Sequence, residues 1–270
     1  MLKHRLLVGV PMAAAALGLL AVDPGPHYPV LAALATLTGV AAAVELCGLF
    51  PPTVRPWLVW PAVAVVILSN WIDHPALTPL LLVLGSAVLA PLAGEVRHFT
   101  NDGRSMARAA NGVFAVVYLG LLPSFLVRLR WLPEVGLWAV LVAIFVPKVG
   151  DIGAYFTGRL IGRHKLAPTL SPKKTWEGFA GGLVASAGTA VGASFAAPGL
   201  FPHGLPEAVA FGLVVGTAGV LGDLFESLLK RDAQVKDAAT SIPGFGGVLD
   251  VIDSVLFAAP VAYLWFAMRP

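Results

Sequence analysis

Nine apolar stretches, each close to the length needed to cross a bilayer, restrict the fold of this chain more than any other feature. A membrane-spanning helix needs about 20 mostly apolar residues. Only 12% of the 270 residues are Asp, Glu, Lys or Arg, which is about half the fraction usual in soluble domains. The sequence therefore predicts an all-α, polytopic integral membrane protein. Its predicted spans are residues 6–22, 28–49, 57–72, 76–94, 109–127, 131–149, 178–197, 207–229 and 248–268.

The positions of the basic residues predict the orientation of these helices. If the N-terminus is cytoplasmic and nine spans alternate, every Lys and Arg except Arg128, Arg130 and Arg269 falls on the cytoplasmic side, as the positive-inside rule requires. The first stretch also has the shape of a cleavable signal peptide. We expect it to be retained, because the alternation depends on it. The net charge of +3 follows this topology, and no nucleic-acid partner is expected.

Polar residues are concentrated in the second half of the chain. Within a single membrane domain, 1–270, residues 1–130 are predicted to form an apolar helical scaffold and 145–270 a catalytic part with a polar site. The seventh stretch carries small residues at three- and four-residue spacing, which allows helices to approach closely and is compatible with a homodimer. These small residues are Gly181, Gly182, Ala185, Gly188 and Gly192.

The first polar segment of interest precedes the seventh stretch. Ser171, Lys173, Lys174 and Thr175 place two hydroxyls and two ammonium groups within five residues. Together with the N–H groups of the following helix start, they form a candidate phosphate-binding surface. A solvated basic loop lying on anionic headgroups is an equal alternative from the local sequence.

The second segment is the polar end of the eighth stretch. If that helix continues to Arg231, then Asp223, Ser227, Lys230 and Arg231 lie on one face, with Glu226 beside them. Self-neutralising ion pairs are one interpretation. Ionisable residues clustered near a span more often mark a functional site.

The third segment is a Gly-rich turn that leads into the last stretch. Gly246 and Gly247 allow the backbone to approach a ligand closely. Asp250 and Asp253 follow three residues apart, so their carboxylates share a helical face with no basic residue between them. Mutually repelling carboxylates of this kind favour a bound cation, and oxygen ligands suit Mg²⁺. We prefer a metal site here over a solvated helix cap.

At these residues the sequence resembles the phosphatidate cytidylyltransferase, or CDP-diacylglycerol synthase, family. The family signature reads Ser-x-x-Lys-Arg-x4-Lys-Asp, then Pro-Gly-His-Gly-Gly, then Asp-Arg-x-Asp. Residues 171–178 and Asp151 also resemble family segments, and the similarity covers roughly 145–270. Phe245 stands where the family has His, and Val251 where it has Arg. The matching signature residues are Ser227, Lys230, Arg231, Lys236, Asp237, Pro243, Gly244, Gly246, Gly247, Asp250 and Asp253.

The resemblance implies transfer of a cytidylyl group from CTP to phosphatidate, giving CDP-diacylglycerol and pyrophosphate at the cytoplasmic face of a bacterial inner membrane. It implies Mg²⁺ bound by Asp223 and Asp250 with Asp253 beside them, and leaves a second cation open. Membrane lipids are the other expected partners. The residues expected to act on the phosphates or to orient the site are Lys173, Lys174, Ser227, Lys230, Arg231, Lys236 and Asp237. The alternatives are a cytidylyltransferase for another lipid phosphate, and a non-catalytic or transport relative.

Overall fold

A computed structural model describes residues 18–23, 25, 28–50, 55–71, 77–242, 244 and 246–268. Within these residues, seven helices are long and apolar enough to cross a membrane, and Pro56–Trp71 is a shorter apolar helix. These eight coincide with the second to ninth predicted stretches, whereas the first lies mostly outside the described residues. The all-α polytopic class is confirmed. The count of nine, the N-terminal orientation and the division at residues 130 and 145 stay predictions.

The chain forms two compact units. The first comprises Met1–Trp131 and Val235–Val251. Its helices are α1 (Pro29–Leu49), α2 (Pro56–Leu68, with a 3₁₀ turn Ser69–Trp71), α3 (Thr78–Arg97), α4 (Ser105–Val116), a π-helical turn (Val117–Leu121) and α5 (Leu122–Arg130). Val63, Val66 and Ile67 of α2 are fully buried in its apolar core. The helices of the first unit therefore carry few charged residues along the faces that form this core.

Where α2, α3 and α4 begin or end, an ion network joins them. The buried carboxylate of Glu95 accepts hydrogen bonds from Arg55 Nε at 2.6 Å and from Arg108 Nε at 2.7 Å. Arg108 also pairs with Asp102 in the loop after α3, at 2.7 Å. A buried charge is tolerated when it is paired and hydrogen-bonded in this way, so the network fixes three helix ends to one another.

The second unit comprises Leu132–Gln234 and Ile252–Pro270. It contains α6 (Gly136–Ile161), an antiparallel hairpin of β1 (Lys165–Ala167) and β2 (Ser171–Thr175), α7 (Trp176–Ala196), a 3₁₀ turn (Pro198–Leu200) and α8 (Leu205–Asp232). The last helix, α9 (Val248–Ala267), begins in the first unit and continues into the second.

Glycines hold the helices of the second unit close together. A Cβ on Gly153 of α6 would lie 2.5 Å from the Ala185 Cβ of α7, and one on Gly212 of α8 would lie 2.5 Å from the Ala187 Cα. The small residues of the seventh stretch therefore pack as predicted over its first half. At Gly188 and Gly192, further along, an added Cβ would meet nothing within 4 Å.

Two features of this unit differ from the sequence prediction. Helix α6 runs three turns beyond the predicted end at residue 149, to Ile161, and includes Gly150, Gly153 and Gly158. These glycines pack closely against the following hairpin and α7, and this packing supports the helix there. The polar segment after α6, for which the sequence predicts no strands, forms a short hairpin. Both differences matter for the site, since α6 and β2 each contribute charged side chains to it.

Candidate active site

Three carboxylates from two helices of the second unit converge. Asp223 and Glu226 of α8 and Asp253 of α9 each place a carboxylate oxygen within 4.8 Å of the other two. Glu226 is fully buried and Asp253 nearly so, whereas Asp223 is partly exposed. We call these three residues the carboxylate cluster. Its members repel one another unless positive charge compensates them.

Two glycines on α8 explain how the cluster forms. A Cβ on Gly222 would collide with the backbone carbonyl oxygen of Asp253, and one on Gly219 would lie 2.5 Å from the Pro147 Cβ on α6. Because neither residue has a side chain, α8 approaches α9 and α6 closely at this level. The following turn of α8 then places Asp223 and Glu226 beside Asp253.

Each member of the cluster is paired with a lysine. Lys174 Nζ of β2 lies 2.8 Å from Asp223 Oδ2, and Lys148 Nζ of α6 donates to Asp253 Oδ1 at 3.1 Å. Lys230, one turn after Glu226 on α8, pairs with the Glu226 carboxylate. Lys148 also lies 4.0 Å from Asp151 Oδ2. Positive charge from three different elements therefore compensates the cluster.

A cavity of about 400 Å³ lies beside the cluster. Asp151 and Asp223 contribute carboxylates to its wall, and Lys173, Lys174 and Arg159 contribute cationic groups. Apart from Thr175, the remainder is apolar or aromatic, so the cavity combines charge with a surface that can contact a ring or a hydrocarbon chain. Its other lining residues are Ala154, Tyr155, Gly158, Leu166, Thr175, Gly178, Phe179 and Val220.

The β1–β2 hairpin, which carries Lys173 and Lys174, is fixed at both ends. The Thr175 hydroxyl caps α7 by accepting a hydrogen bond from Gly178 N at 3.0 Å. The Glu177 carboxylate accepts the backbone N–H of Arg163 at 3.0 Å and contacts His164 Nδ1 at 2.6 Å. At the hairpin turn, Arg231 Nε of α8 donates to Leu170 O at 3.4 Å. Lys173 and Lys174 are therefore presented on an anchored strand.

The first unit holds a different arrangement of carboxylates around the Gly-rich turn. Glu45 of α1 is buried, and its carboxylate accepts hydrogen bonds from Ser241 Oγ at 2.7 Å, Val248 N at 2.9 Å and Leu249 N at 2.8 Å. It thereby satisfies N–H groups of the first turn of α9, which have no partner within the helix. A Cβ on Gly247 would collide with Glu45 Oε2, so glycine at this position allows the carboxylate to approach the turn.

Asp250 also contacts the turn. Its Oδ2 accepts hydrogen bonds from Gly247 N at 2.8 Å and from Ala238 N at 3.0 Å. Gly246 has a φ of 98°, a left-handed conformation that favours glycine. Two carboxylates and two glycines thus define the conformation of this turn.

The structure brings together part of the predicted site. Two predicted residues, Asp223 and Asp253, belong to the cluster, and Lys174 and Lys230 pair with its carboxylates. Lys173 and Thr175 line the cavity beside it. Ser171 begins β2, while Ser227 and Arg231 lie on α8. In the first unit are Asp250, Gly246, Gly247 and the exposed Lys236 and Asp237. Phe245 and Pro243 lie outside the described residues. The roles of all these residues stay predictions.

Four residues at these positions were not predicted as site residues. In the sequence Glu226 lies beside the predicted polar face, although its three-residue spacing from Asp223 repeats that of Asp250 and Asp253. Lys148 enters the prediction only as a cytoplasmic charge, and Asp151 only as part of the resemblance. Glu45 gave no sequence signal, because its partners lie about 200 residues away along the chain.

The fold and the site define a class of protein: an integral membrane protein with a buried carboxylate cluster, compensated by lysines, beside a cationic cavity. Comparison with known proteins agrees with this class. The pattern of the cytidylyltransferase family matches residues 3–268, and the chain belongs to this family. The resemblance to that family found in the sequence is confirmed.

Individual relatives carry a more specific name. The chain is 38% identical over 154 residues to the phosphatidate cytidylyltransferase of Bacillus subtilis, a match that covers 57% of this chain and 56% of the relative. It is 34% identical over 216 residues to that of Mycobacterium bovis, covering 79% and 68%. It is 37% identical over 155 residues to that of Aquifex aeolicus, covering 57% of each. The matches to the first and third relatives thus span little more than half of either protein.

Proposed function

We propose that this protein transfers a cytidylyl group from CTP to phosphatidate, producing CDP-diacylglycerol and pyrophosphate for phospholipid synthesis. The observation that carries the proposal is the carboxylate cluster beside a cavity lined by Lys173 and Lys174. Chemistry on phosphates needs a cation site and cationic side chains in this relation. The names of the relatives supply the identities of the two substrates.

The donor set of the cluster suits Mg²⁺. Asp223, Glu226 and Asp253 would hold the ion, since all three offer the carboxylate oxygens that hard divalent cations prefer. When bound there, Mg²⁺ supplies neutralisation of the charge on phosphate oxygens. Asp250 stays a candidate ligand from the resemblance, although its Oδ2 already accepts two backbone N–H groups.

The residues around the cavity would bind and orient the substrates. Lys173 and Lys174 would hold phosphate groups, while Tyr155 and Phe179 offer aromatic surface to a base or an acyl chain. In the transfer, a phosphate oxygen of the lipid forms a bond to the α-phosphorus of CTP, and the bond from that phosphorus to the β-phosphate oxygen breaks. A lipid phosphate is already ionised near neutral pH, so the reaction does not require a strong general base.

A pyrophosphate-release assay tests the proposal. Purified protein in mixed micelles with Mg²⁺, CTP and phosphatidate is expected to release pyrophosphate and to form CDP-diacylglycerol. Replacing phosphatidate by other lipid phosphates, and CTP by dCTP, UTP or ATP, identifies the substrates. Absence of release with every pair, while the protein remains folded, would refute a cytidylyltransferase function and favour a non-catalytic relative.

We also propose that the site faces the cytoplasm of a bacterial inner membrane, which the distribution of basic residues and the bacterial relatives support. Lys165→Cys in a Cys47→Ala background places a single thiol on the hairpin. An impermeant maleimide is expected to label it only after spheroplasts are lysed. Labelling in intact spheroplasts would show that the hairpin faces the periplasm, which contradicts the proposed topology.

The homodimer stays a proposal, and native mass spectrometry tests it.

A further inference from the structure

The lysine–carboxylate pairs of the cluster occupy groups that the divalent cation and the substrate phosphate of the proposed reaction would each need. Lys148 holds Asp253 at 3.1 Å, and Lys174 holds Asp223 at 2.8 Å. The oxygens in these pairs are those expected to receive a divalent cation. The Lys174 ammonium group, which lines the cavity, is one of those expected to receive a phosphate. In this structure the two sets of groups satisfy each other.

This pairing makes separate binding of either ligand unfavourable. A divalent cation that arrives alone must displace an ammonium group and then lies close to it. A phosphate that arrives alone finds Lys174 engaged and a carboxylate nearby. When both arrive, the carboxylates exchange an ammonium group for the metal ion, and Lys174 exchanges Asp223 for a phosphate. Charge stays balanced at both positions.

We propose that the Lys148–Asp253 and Lys174–Asp223 pairs are exchangeable, so that the divalent cation and the substrate phosphate bind with positive linkage. Lys148 is then a positioning residue, which acts through Asp253 and holds that carboxylate in place until the cation arrives. The inference rests on the proposed function, because that function supplies the cation and the phosphate.

The third pair, Lys230 with Glu226, differs from these two. Both residues lie on α8 one turn apart, and their side chains are 14% and 1% exposed. The side chains of Lys148 and Lys174 are 32% and 22% exposed, and they reach the cluster from other elements. The Nζ atom of Lys174 is itself buried, but this residue lines the cavity. A long lysine side chain in such a position can change partner by rotation alone. We therefore assign the exchange to Lys148 and Lys174.

The metal side of the exchange is tested with Mn²⁺ alone. Lys148→Met removes the competing ammonium group, so the variant is expected to bind Mn²⁺ about tenfold more tightly than wild type, within the roughly 5- to 150-fold range typical of coupling between sites. Free Mn²⁺ is measured by electron paramagnetic resonance during a titration in detergent. Lys165→Met, which removes an exposed lysine of the same hairpin as Lys174, is the matched control and is expected to leave the affinity unchanged.

Unchanged or weaker binding of Mn²⁺ by a folded Lys148→Met variant would overturn the exchange. If that variant does not fold, Lys174→Met provides the same test, because it releases Asp223 instead of Asp253. A general loss of structure weakens binding, whereas the exchange predicts that binding becomes tighter, so the two outcomes have opposite signs.

The phosphate side is tested with CTP in EDTA and without lipid. Asp223→Asn releases Lys174 and removes a negative charge from the cavity wall, so metal-free CTP is expected to bind about tenfold more tightly than to wild type. Weaker or equal binding contradicts the exchange. Failure of the proposed function is distinguishable from this result, because wild type would then release no pyrophosphate from any substrate pair. Normal turnover combined with unchanged affinities in both variants would reject the exchange alone.

Discussion

The two units of this protein use carboxylates in different ways. In the first unit, Glu45 and Asp250 accept hydrogen bonds from backbone N–H groups of the Gly-rich turn and of the first turn of α9. In the second unit, Asp223 and Asp253 are paired with lysine ammonium groups. A backbone N–H cannot leave its acceptor unless the turn itself rearranges, whereas an ammonium group leaves by rotation of its side chain.

The difference suggests separate tasks for chemically identical groups. Carboxylates held by backbone amides stabilise one conformation of the chain, because an unsatisfied buried N–H or carboxylate carries a large penalty. Carboxylates held by mobile lysines remain available to a cation. Asp250 and Asp253 show the contrast most directly, since they lie three residues apart on the same helix. Asp250 accepts the N–H groups of Ala238 and Gly247, whereas Asp253 pairs with Lys148 in addition to accepting the N–H of Ser254.

The largest effect is expected from Asp253→Asn. Loss of a carboxylate from the cluster is expected to lower pyrophosphate release by about two to three orders of magnitude, the range found when one electrostatic stabiliser is removed. It is also expected to weaken Mn²⁺ binding while the thermal unfolding temperature changes little. Asp250→Asn is the matched comparison. If its Mn²⁺ affinity also falls, the resemblance-based metal role of Asp250 holds and the contrast between the two residues fails.

A smaller effect, mainly on stability, is expected from Glu45. Glu45→Ala leaves the N–H groups of Val248 and Leu249 without their acceptor, so the free energy of unfolding is expected to fall by about 2–3 kcal/mol. Glu45→Gln retains one acceptor oxygen and is expected to cost about half as much. Thermal denaturation in detergent measures both, with Glu134→Gln at an exposed position as the control. If Glu45→Ala instead keeps wild-type stability and lowers the Mn²⁺ affinity, Glu45 takes part in cation binding and does not mainly stabilise the turn.

Gly247 provides a test of the same contact from the other side. Gly247→Ala places a Cβ against Glu45 Oε2, and overpacking of this kind costs about 1–3 kcal/mol. In a Glu45→Ala background the added methyl group has space, so the second substitution is expected to cost less there. A double-mutant cycle measures the difference. Strictly additive costs would mean that Gly247 is required for another reason.

The sequence predicts most of the fold, since hydropathy alone locates eight described helices. It does not predict where α6 ends, because Asp151 and three glycines indicate an earlier end, whereas packing extends the helix to Ile161. The hairpin is also missed. Its strands are only three and five residues long, and its turn is held by Arg231, which lies 61 residues away from Leu170 in the sequence.

The candidate site is predicted in part for a similar reason. Asp223 and Asp253 each follow from a local pattern, and Glu226 lies one turn from Asp223 on the same helix. Lys148 and Asp253 meet them only because Gly222 and Gly219 allow three helices to approach, and close approach is a property of packing and not of local sequence. Glu45 is a stronger case, since an acidic residue within an apolar stretch has no local feature that identifies its partner. A buried carboxylate there requires compensation, but the sequence does not indicate what supplies it.

The smallest effect is expected at Asp102, which tests whether pairing with a cation is enough to make a carboxylate exchangeable. Its carboxylate pairs with Arg108, and that hydrogen-bonded guanidinium holds the pKa of Asp102 well below its usual range. Arg108 is also held by the buried Glu95 at 2.7 Å. We therefore expect this pair to be structural and Asp102→Asn to lower the unfolding temperature slightly, without any effect on Mn²⁺ binding.

The pH dependence of this effect has a defined sign. Because the pKa of Asp102 is lower in the folded protein than in the unfolded chain, its stabilisation is fully present above the unfolded value of about 3.9 and is lost as the pH falls towards the folded value. The difference in unfolding temperature between wild type and Asp102→Asn should be constant near neutral pH and should shrink below about pH 4. A difference that grows on acidification would contradict the ion pair. Tighter Mn²⁺ binding by the variant would show that the Asp102–Arg108 pair also exchanges its partners. Pairing with any cationic side chain would then be enough to make a carboxylate exchangeable.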